Sequence, residues 1–148
     1  MRVRLLEAAD LEPILRIEQR AMANPWSEAQ LAAEQTAGNG IAWAAESGEA
    51  LCGYAFFRTC APECELLHLV VAPEQRRQGV GAYILRQALA YFAGTRFAAC
   101  FLEVRVFNLA ARRLYEQFGF VQVGQRKNYY NQPVEDALLL RRNLIEIP

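Results

Sequence analysis

Glu103 interrupts the apolar run Cys100-Phe101-Leu102-Glu103-Val104-Arg105-Val106. A carboxylate in such a strand, set at the edge of a cleft, could take a proton as a general base, directly or through water. Alternation with period two places Phe101, Glu103 and Arg105 on one face and Cys100 on the other, which separates that thiol from Glu103. The same alternation allows a plainer reading, in which Glu103 and Arg105 neutralise each other on a solvated face. Asn108 and Tyr115 follow about two helical turns apart, so on one helix they share a face and can touch one extended ligand. A phenol of ordinary pKa near ~10 suits proton donation to a departing thiolate, whose conjugate acid has a pKa of about 8.5. Taken singly, Asn108 could simply cap its helix and Tyr115 could pack with Leu114 and Phe118.

A third chemical feature lies upstream, in Leu69-Val70-Val71-Ala72-Pro73-Glu74-Gln75-Arg76-Arg77-Gln78-Gly79-Val80-Gly81. An apolar strand ends at a proline and meets two glycines just before a helical pattern. A helix start offers unpaired N–H groups and the positive end of the macrodipole, and glycine lets a phosphate approach the backbone. Arg76 and Arg77 add charge beside the N–H groups of Gln78, Gly79, Val80, Gly81 and Ala82. The pattern RxxGxG differs from the dinucleotide GxGxxG, and no GK[ST] follows, so both of those phosphate loops are disfavoured.

The elements that must hold these groups can be read around them. Val3 to Leu6 predicts a strand, and Asp10 is placed to cap a helix carrying Leu11, Ile14, Leu15 and Ile17, with Pro13 tolerated in its first turn. Ser27 and Gln30 form a capping box for a second helix ending near Gly38, with Trp26 stapled onto Leu31. Ile41 to Glu46, Leu51 to Thr59 and Glu65 to Val71 predict an antiparallel meander. After the glycines, Gly81, Ile84, Leu85, Ala88 and Phe92 share a helical face that Gly94 terminates. A strand at Ala99 to Val106, a helix from Asn108 to Gly119 and short strands at Val121 to Gly124 and Ala137 to Leu140 complete one α+β domain over residues 1–148.

With 148 residues, of which 53% are hydrophobic, the chain can bury a core without metals or staples. Its 16 basic and 16 acidic residues cancel, so no overall field points to a nucleic acid or a membrane surface. No signal-like or spanning apolar stretch is present, which leads to an expectation of a cytoplasmic protein. Cys52, Cys60, Cys64 and Cys100 lack CxxC spacing and the single histidine, His68, cannot complete a zinc set, so no metal is expected and the thiols read as reduced, half-buried residues.

Arg76-x-x-Gly79-x-Gly81 after a strand, Leu102-Glu103-Val104-Arg105 on the next, then Asn108 and Leu114-Tyr115-x-x-x-Gly119-Phe120 together resemble the GNAT acetyltransferase superfamily over essentially the whole chain. The resemblance implies a mixed, mostly antiparallel seven-stranded sheet flanked by about four helices, split in a V at its central parallel strands. It implies acetyl-CoA held by Leu69, Val70 and Val71, by Arg76 to Ala82 and by Asn108, with Glu103 as base and Tyr115 as acid. Ala82 departs from relatives that carry a basic or polar side chain there, so Arg76 or Arg77 would compensate. Within the superfamily, Ile17-Glu18-Gln19, Asn24-Pro25-Trp26-Ser27 and Arg126-Lys127-Asn128-Tyr129-Tyr130 look like the bacterial ribosomal-protein-alanine N-acetyltransferases. That likeness implies action on the N-terminus of a small-subunit ribosomal protein, with the peptide between Trp26 and the loop carrying Asn128, Tyr129 and Tyr130; the sequence leaves the oligomeric state open, with a monomer as the working expectation. A lysine or small-molecule amine acetylase would share the same cofactor half. A non-catalytic coenzyme A-binding module would need neither Glu103 nor Tyr115.

Overall fold

The computed structural model describes residues 1–145. Its spine is a seven-stranded sheet in the order β1-β2-β3-β4-β5-β7-β6. The strands are β1 (Arg2–Leu5), β2 (Gly40–Ser47), β3 (Ala50–Cys60), β4 (Glu63–Val71), β5 (Ala99–Arg105), β6 (Val121–Tyr130) and β7 (Glu135–Asn143). All neighbours are antiparallel except β4 and β5. That exception arises because α3 (Val80–Ala93) carries the chain from the end of β4 back to the start of β5, the crossover a parallel pair requires.

Helices cover both faces. On one, α3 buries Ile84, Leu85, Ala88 and Phe92 against Phe57, Leu66 and Leu102, and α4 (Leu109–Gln117) adds Tyr115 to the same cluster. On the other, α1 (Leu11–Ala21) and α2 (Glu28–Thr36) bury Ile14, Ile17 and Leu31 against Tyr54, Phe56 and Val70. Each such side chain contributes roughly 1.5–3 kcal/mol by leaving water, so each face has its own apolar anchor. Among the described residues no helix is long and apolar enough to cross a membrane.

The capping box forms as expected: Ser27 Oγ accepts from Gln30 N at 3.1 Å, and Gln30 Oε1 accepts from Ser27 N at 2.7 Å. Trp26 and Leu31 lie in one apolar cluster, as a staple requires. Three expectations are corrected. Asp10 caps nothing in α1: its carboxylate accepts from Glu7 N at 2.7 Å and pairs with the Arg4 guanidinium at 2.8 and 3.0 Å, so it closes a single turn before the helix. Residues 126–130, expected as a loop, continue β6 as an edge strand with a register shift between Arg126 and Tyr130. Cys52, Cys64 and Cys100 are fully buried, whereas Cys60 is exposed.

Candidate active site

The parallel pair is short. β4 and β5 are in register only from Glu63↔Ala99 to Leu66↔Leu102, although β4 runs on to Val71 and β5 to Arg105. A bulge lies where they part: His68 faces Phe56 and Leu66 faces Phe57, leaving Leu67 as the extra residue. Such an insertion bends and twists the strand that carries it, which turns the end of β4 away from β5. A cleft of about 510 Å³ opens between them, lined among others by Trp26, His68, Leu69, Glu103, Asn108 and Tyr115. Beyond Leu66 the β5-facing backbone edge of β4 has no strand partner, so the peptide groups of Leu69 to Val71 can pair with a ligand. Val70 can contribute only its backbone, because its side chain is buried towards α1.

β4 leads directly into the glycine loop. Gly79 precedes α3 at φ +80°, and a Cβ there would meet nothing, so the backbone conformation and not space calls for glycine. Arg77 also sits at φ +65°, a left-handed conformation that costs an L-residue roughly 1–2 kcal/mol. Gly81 answers a different need: a Cβ there would lie 3.1 Å from Leu114 Cδ2, so its absence lets α3 approach α4. The first turn of α3 has no side-chain cap, and among the described residues no group accepts from the N–H groups of Val80, Gly81 and Ala82. These three N–H groups are therefore free to receive an anion. Arg76 donates to the Ala21 carbonyl at 3.1 Å and so ties the loop to the end of α1. Arg77 is therefore the better placed of the two to offset Ala82.

Glu103 and Tyr115 reach the cleft from opposite faces of the sheet. Glu103 projects on the α1 face, with its side chain 17% exposed and Arg126 at 3.7 Å. Arg105 does not neutralise it: that guanidinium pairs with Glu135 at 3.2 Å, donates to the Pro133 and Asn131 carbonyls and covers the Tyr130 ring at 4.3 Å. Glu65 lies close by, its pKa raised by burial and by the Glu103 charge. Arg126 and Arg58 offset part of that repulsion, and Glu65 lies outside the cleft lining. Tyr115, on α4, is almost wholly buried against Phe120. Burial pushes its phenol well above the ordinary value, and Tyr130 and Cys100 add to the rise, so it stays protonated. Asn108 caps α4 by accepting from Ala111 N at 3.2 Å, yet it also lines the cleft.

The outer walls come from the α1–α2 connection and the β6–β7 hairpin. Asn24 Nδ2 donates to the Gln132 carbonyl at 3.0 Å and bridges the two across the mouth. Tyr130 lines the cleft, its phenol raised to about 12 by burial and by Glu103. Tyr129 stands against the Glu103 carboxylate, which raises its pKa too. Asn128, like Tyr129 outside the cleft lining, sits at φ +51° with its N–H held by Asp136 at 2.9 Å, and it shapes the hairpin.

The site also contains a group that residue spacing alone did not assign. Glu18, fully buried on α1, accepts from Tyr54 OH at 2.6 Å and pairs with His68 Nε2 at 2.7 Å through Oε1, while Oε2 accepts from Trp26 N at 2.9 Å. Trp26 stacks on the His68 ring at 4.0 Å and 10°. The available signal was Glu18 itself, four residues after Ile14 on the apolar stripe of α1, where a lone carboxylate needs buried partners.

Residues 11–120 match the model of the acetyltransferase (GNAT) family. The [ribosomal protein bS18]-alanine N-acetyltransferase of Escherichia coli K12 is 34% identical over 137 residues, covering 91% of this chain and 92% of that one. The N-alpha-acetyltransferase RimI of Mycobacterium tuberculosis is 33% identical over 144 residues, covering 93% and 89%. The crystal structure of the Escherichia coli ribosomal-protein-S18-alanine N-acetyltransferase superposes with a TM-score of 0.93 at 30% identity, over 99% of this chain and 96% of that one. A sheet split beside an open helix start, together with a family match over most of the chain, places this protein in the GNAT acetyltransferase family.

Proposed function

We propose that this acyltransferase moves the acetyl group of acetyl-CoA to the α-amine of the N-terminal alanine of a small-subunit ribosomal protein, by direct attack in a ternary complex. The observation that carries the reading is the cleft itself, with Glu103 on one face of the split sheet and Tyr115 on the other. A donor laid along β4 and an amine arriving from the α1 side would meet between them. The names of the relatives above support the choice of amine. The Asn24–Gln132 bridge supports it as well, because a groove closed at its mouth admits a chain end more readily than the middle of a chain.

The residues that fit coenzyme A are the free N–H groups of Val80, Gly81 and Ala82 for the pyrophosphate, the unpaired edge of Leu69 to Val71 for the pantetheine amides, and Asn108 at the cleft wall. Glu103 accepts a proton from the incoming ammonium, directly or through water. A peptide α-amine has a pKa of about 7.7–8.0 against ~10.4 for lysine, so freeing it near neutrality costs only about 1 kcal/mol. A backbone N–H near Val70 or Val71 faces the developing oxyanion, and Tyr115 gives its proton to the departing sulfur.

Acetyl transfer to an alanine-initiated peptide bearing that ribosomal N-terminus, followed by mass spectrometry beside lysine peptides and polyamines, tests the reading. Modification of the terminal amine is expected. Transfer to lysine alone would move the enzyme to the alternative substrate class.

A further inference from the structure

The proton balance at the attacking nitrogen calls for two acceptors. An ammonium that becomes an amide breaks two N–H bonds: one before attack, to free the lone pair, and one after attack, from the cationic nitrogen of the adduct. One S–H bond forms, so one proton is released to solvent. Glu103 accounts for the first transfer, which leaves the second without a named group.

His68 is the chain's single histidine, on the wall of the cleft opposite β5. Its environment fixes how the ring is used. Glu18 receives the Trp26 N–H, the Tyr54 hydroxyl and His68 Nε2, and it has no exposed surface. Burial disfavours its charge, but the hydrogen bonds from His68 and Tyr54, the electrostatic attraction of the His68 ring and the Trp26 N–H together outweigh that penalty and hold it as a carboxylate. A carboxylate can only accept, so the proton of a neutral His68 must sit on Nε2. The two ring nitrogens point away from each other, so Nδ1 faces away from Glu18. Among the described residues it has no protein partner, and it is not one of the sealed polar atoms. The stacked Trp26 indole fixes the plane of the ring. In its neutral form His68 is therefore a carboxylate-oriented imidazole with a lone pair on the wall of the cleft.

We propose that His68 Nδ1 is the second proton acceptor of the transfer, taking the proton from the adduct nitrogen, with Glu18 as its positioning residue. The N–H bond of the adduct breaks, its electron pair stays on nitrogen as the amide forms, and Nδ1 gains the proton. The imidazolium so formed is stabilised by Glu18. It then returns the proton to the Tyr115 oxygen or to solvent, while Glu103 releases the other. The groups facing His68 are Glu18 from α1 and Tyr54 from β3, with Glu103 and Arg105 of β5, Tyr115 of α4 and Tyr130 of β6 across the cleft.

The inference rests on the acetyl-transfer reading, and its test separates the two. Because there is only one histidine, nitrogen-15 NMR of tag-free protein observes this ring alone. The expected spectrum is that of the Nε2–H tautomer, and the midpoint of the ring titration is expected to coincide with the acid limb of kcat at saturating peptide. His68→Gln keeps a donor for Glu18 but removes the acceptor. It is expected to lower kcat at least about 30-fold, to abolish that acid limb and to leave acetyl-CoA affinity within about twofold. An Nδ1–H tautomer, a kcat within about threefold of the parent, or a reduced kcat whose acid limb is unmoved would each overturn the assignment. Should His68→Gln not bind acetyl-CoA, the unmodified protein decides the matter through the coincidence of the two midpoints. If only lysine amines are acetylated, the substrate reading falls, and the kinetic arm is read on that amine. The tautomer is decided without any turnover.

Discussion

Replacing Tyr115 with Phe removes one hydroxyl from a buried ring and leaves its shape in place. The side chain packs against Phe120 and shares a cluster with Leu102 and Val104. Its phenol is absent from the hydrogen bonds that hold the fold, so the variant should keep its stability within about 0.5 kcal/mol. Its effect on chemistry should be large. Without a donor, sulfur must leave as a thiolate. A positioned general acid contributes typically about 100- to 10,000-fold, so the loss of rate should be at least roughly 100-fold, or about 2.7 kcal/mol of barrier. Since burial keeps the Tyr115 phenol protonated well past neutrality, the parent uses the same acid form throughout and the loss should be flat from about pH 7 to 9.5. Single-turnover release of free thiol, read beside the melting temperature, measures both quantities. An unchanged rate would remove Tyr115 from the acid role, and a deficit that closes with rising pH would mean that the phenol acts on the amine instead of the sulfur.

Glu103→Gln should show the opposite pH signature: its deficit in kcat/KM shrinks as pH passes the amine's value near ~8, because solvent then supplies the free base, and a pH-independent deficit would contradict the assignment. Gly79→Ala places a Cβ in open space at φ +80°, so its penalty is purely conformational. It should lower stability by about 1–2 kcal/mol and weaken acetyl-CoA binding in calorimetry, and an unchanged affinity would dissociate this turn from the phosphate site. Asp10 has its carboxyl held below the usual range by the Arg4 guanidinium, against burial. Its contribution is therefore complete above the unfolded-state pKa and is lost as pH falls through the lower folded value. Urea titrations of Asp10→Asn should accordingly lose about 1–3 kcal/mol at pH 7 and converge on the parent at low pH, and a constant gap would point to packing instead of ionisation.

What could be read from the sequence depended on how local the cause was. The glycine loop, the capping box at Ser27 and Gln30 and the buried face of α3 all arise from residues within a turn or two of each other, and all are present. The polar run Arg126 to Tyr130 reads as a loop in sequence because β6 is an edge strand, mostly exposed on both faces, where no burial enforces alternation. The placement of β7 between β5 and β6 follows from the hairpin folding back, which no short window reveals. Asp10 reads as the cap of α1 in sequence, but Arg4, six residues earlier on a different element, competes for it. His68 carried no signal alone, since its partner Glu18 lies 50 residues away and only the packing of α1 on β4 joins them.

Under the proposed function, the two faces of the split sheet divide the work in a way that lets one half vary. The donor half consists of the turn at Gly79, the start of α3 and the close approach at Gly81, so it is built from backbone positions that few substitutions can preserve. The acceptor half consists of side chains on two connections, Asn24 to Trp26 and Tyr130 to Pro133, joined by one hydrogen bond and anchored separately by Glu18 and Arg105. Because those anchors lie in or above the α1-side cluster, residues there can change the shape of the amine site without disturbing the α3-side core that holds the phosphate turn. On that reading the glycine loop marks the donor, and the choice of amine is to be sought in Glu18, Trp26, His68 and the hairpin tip.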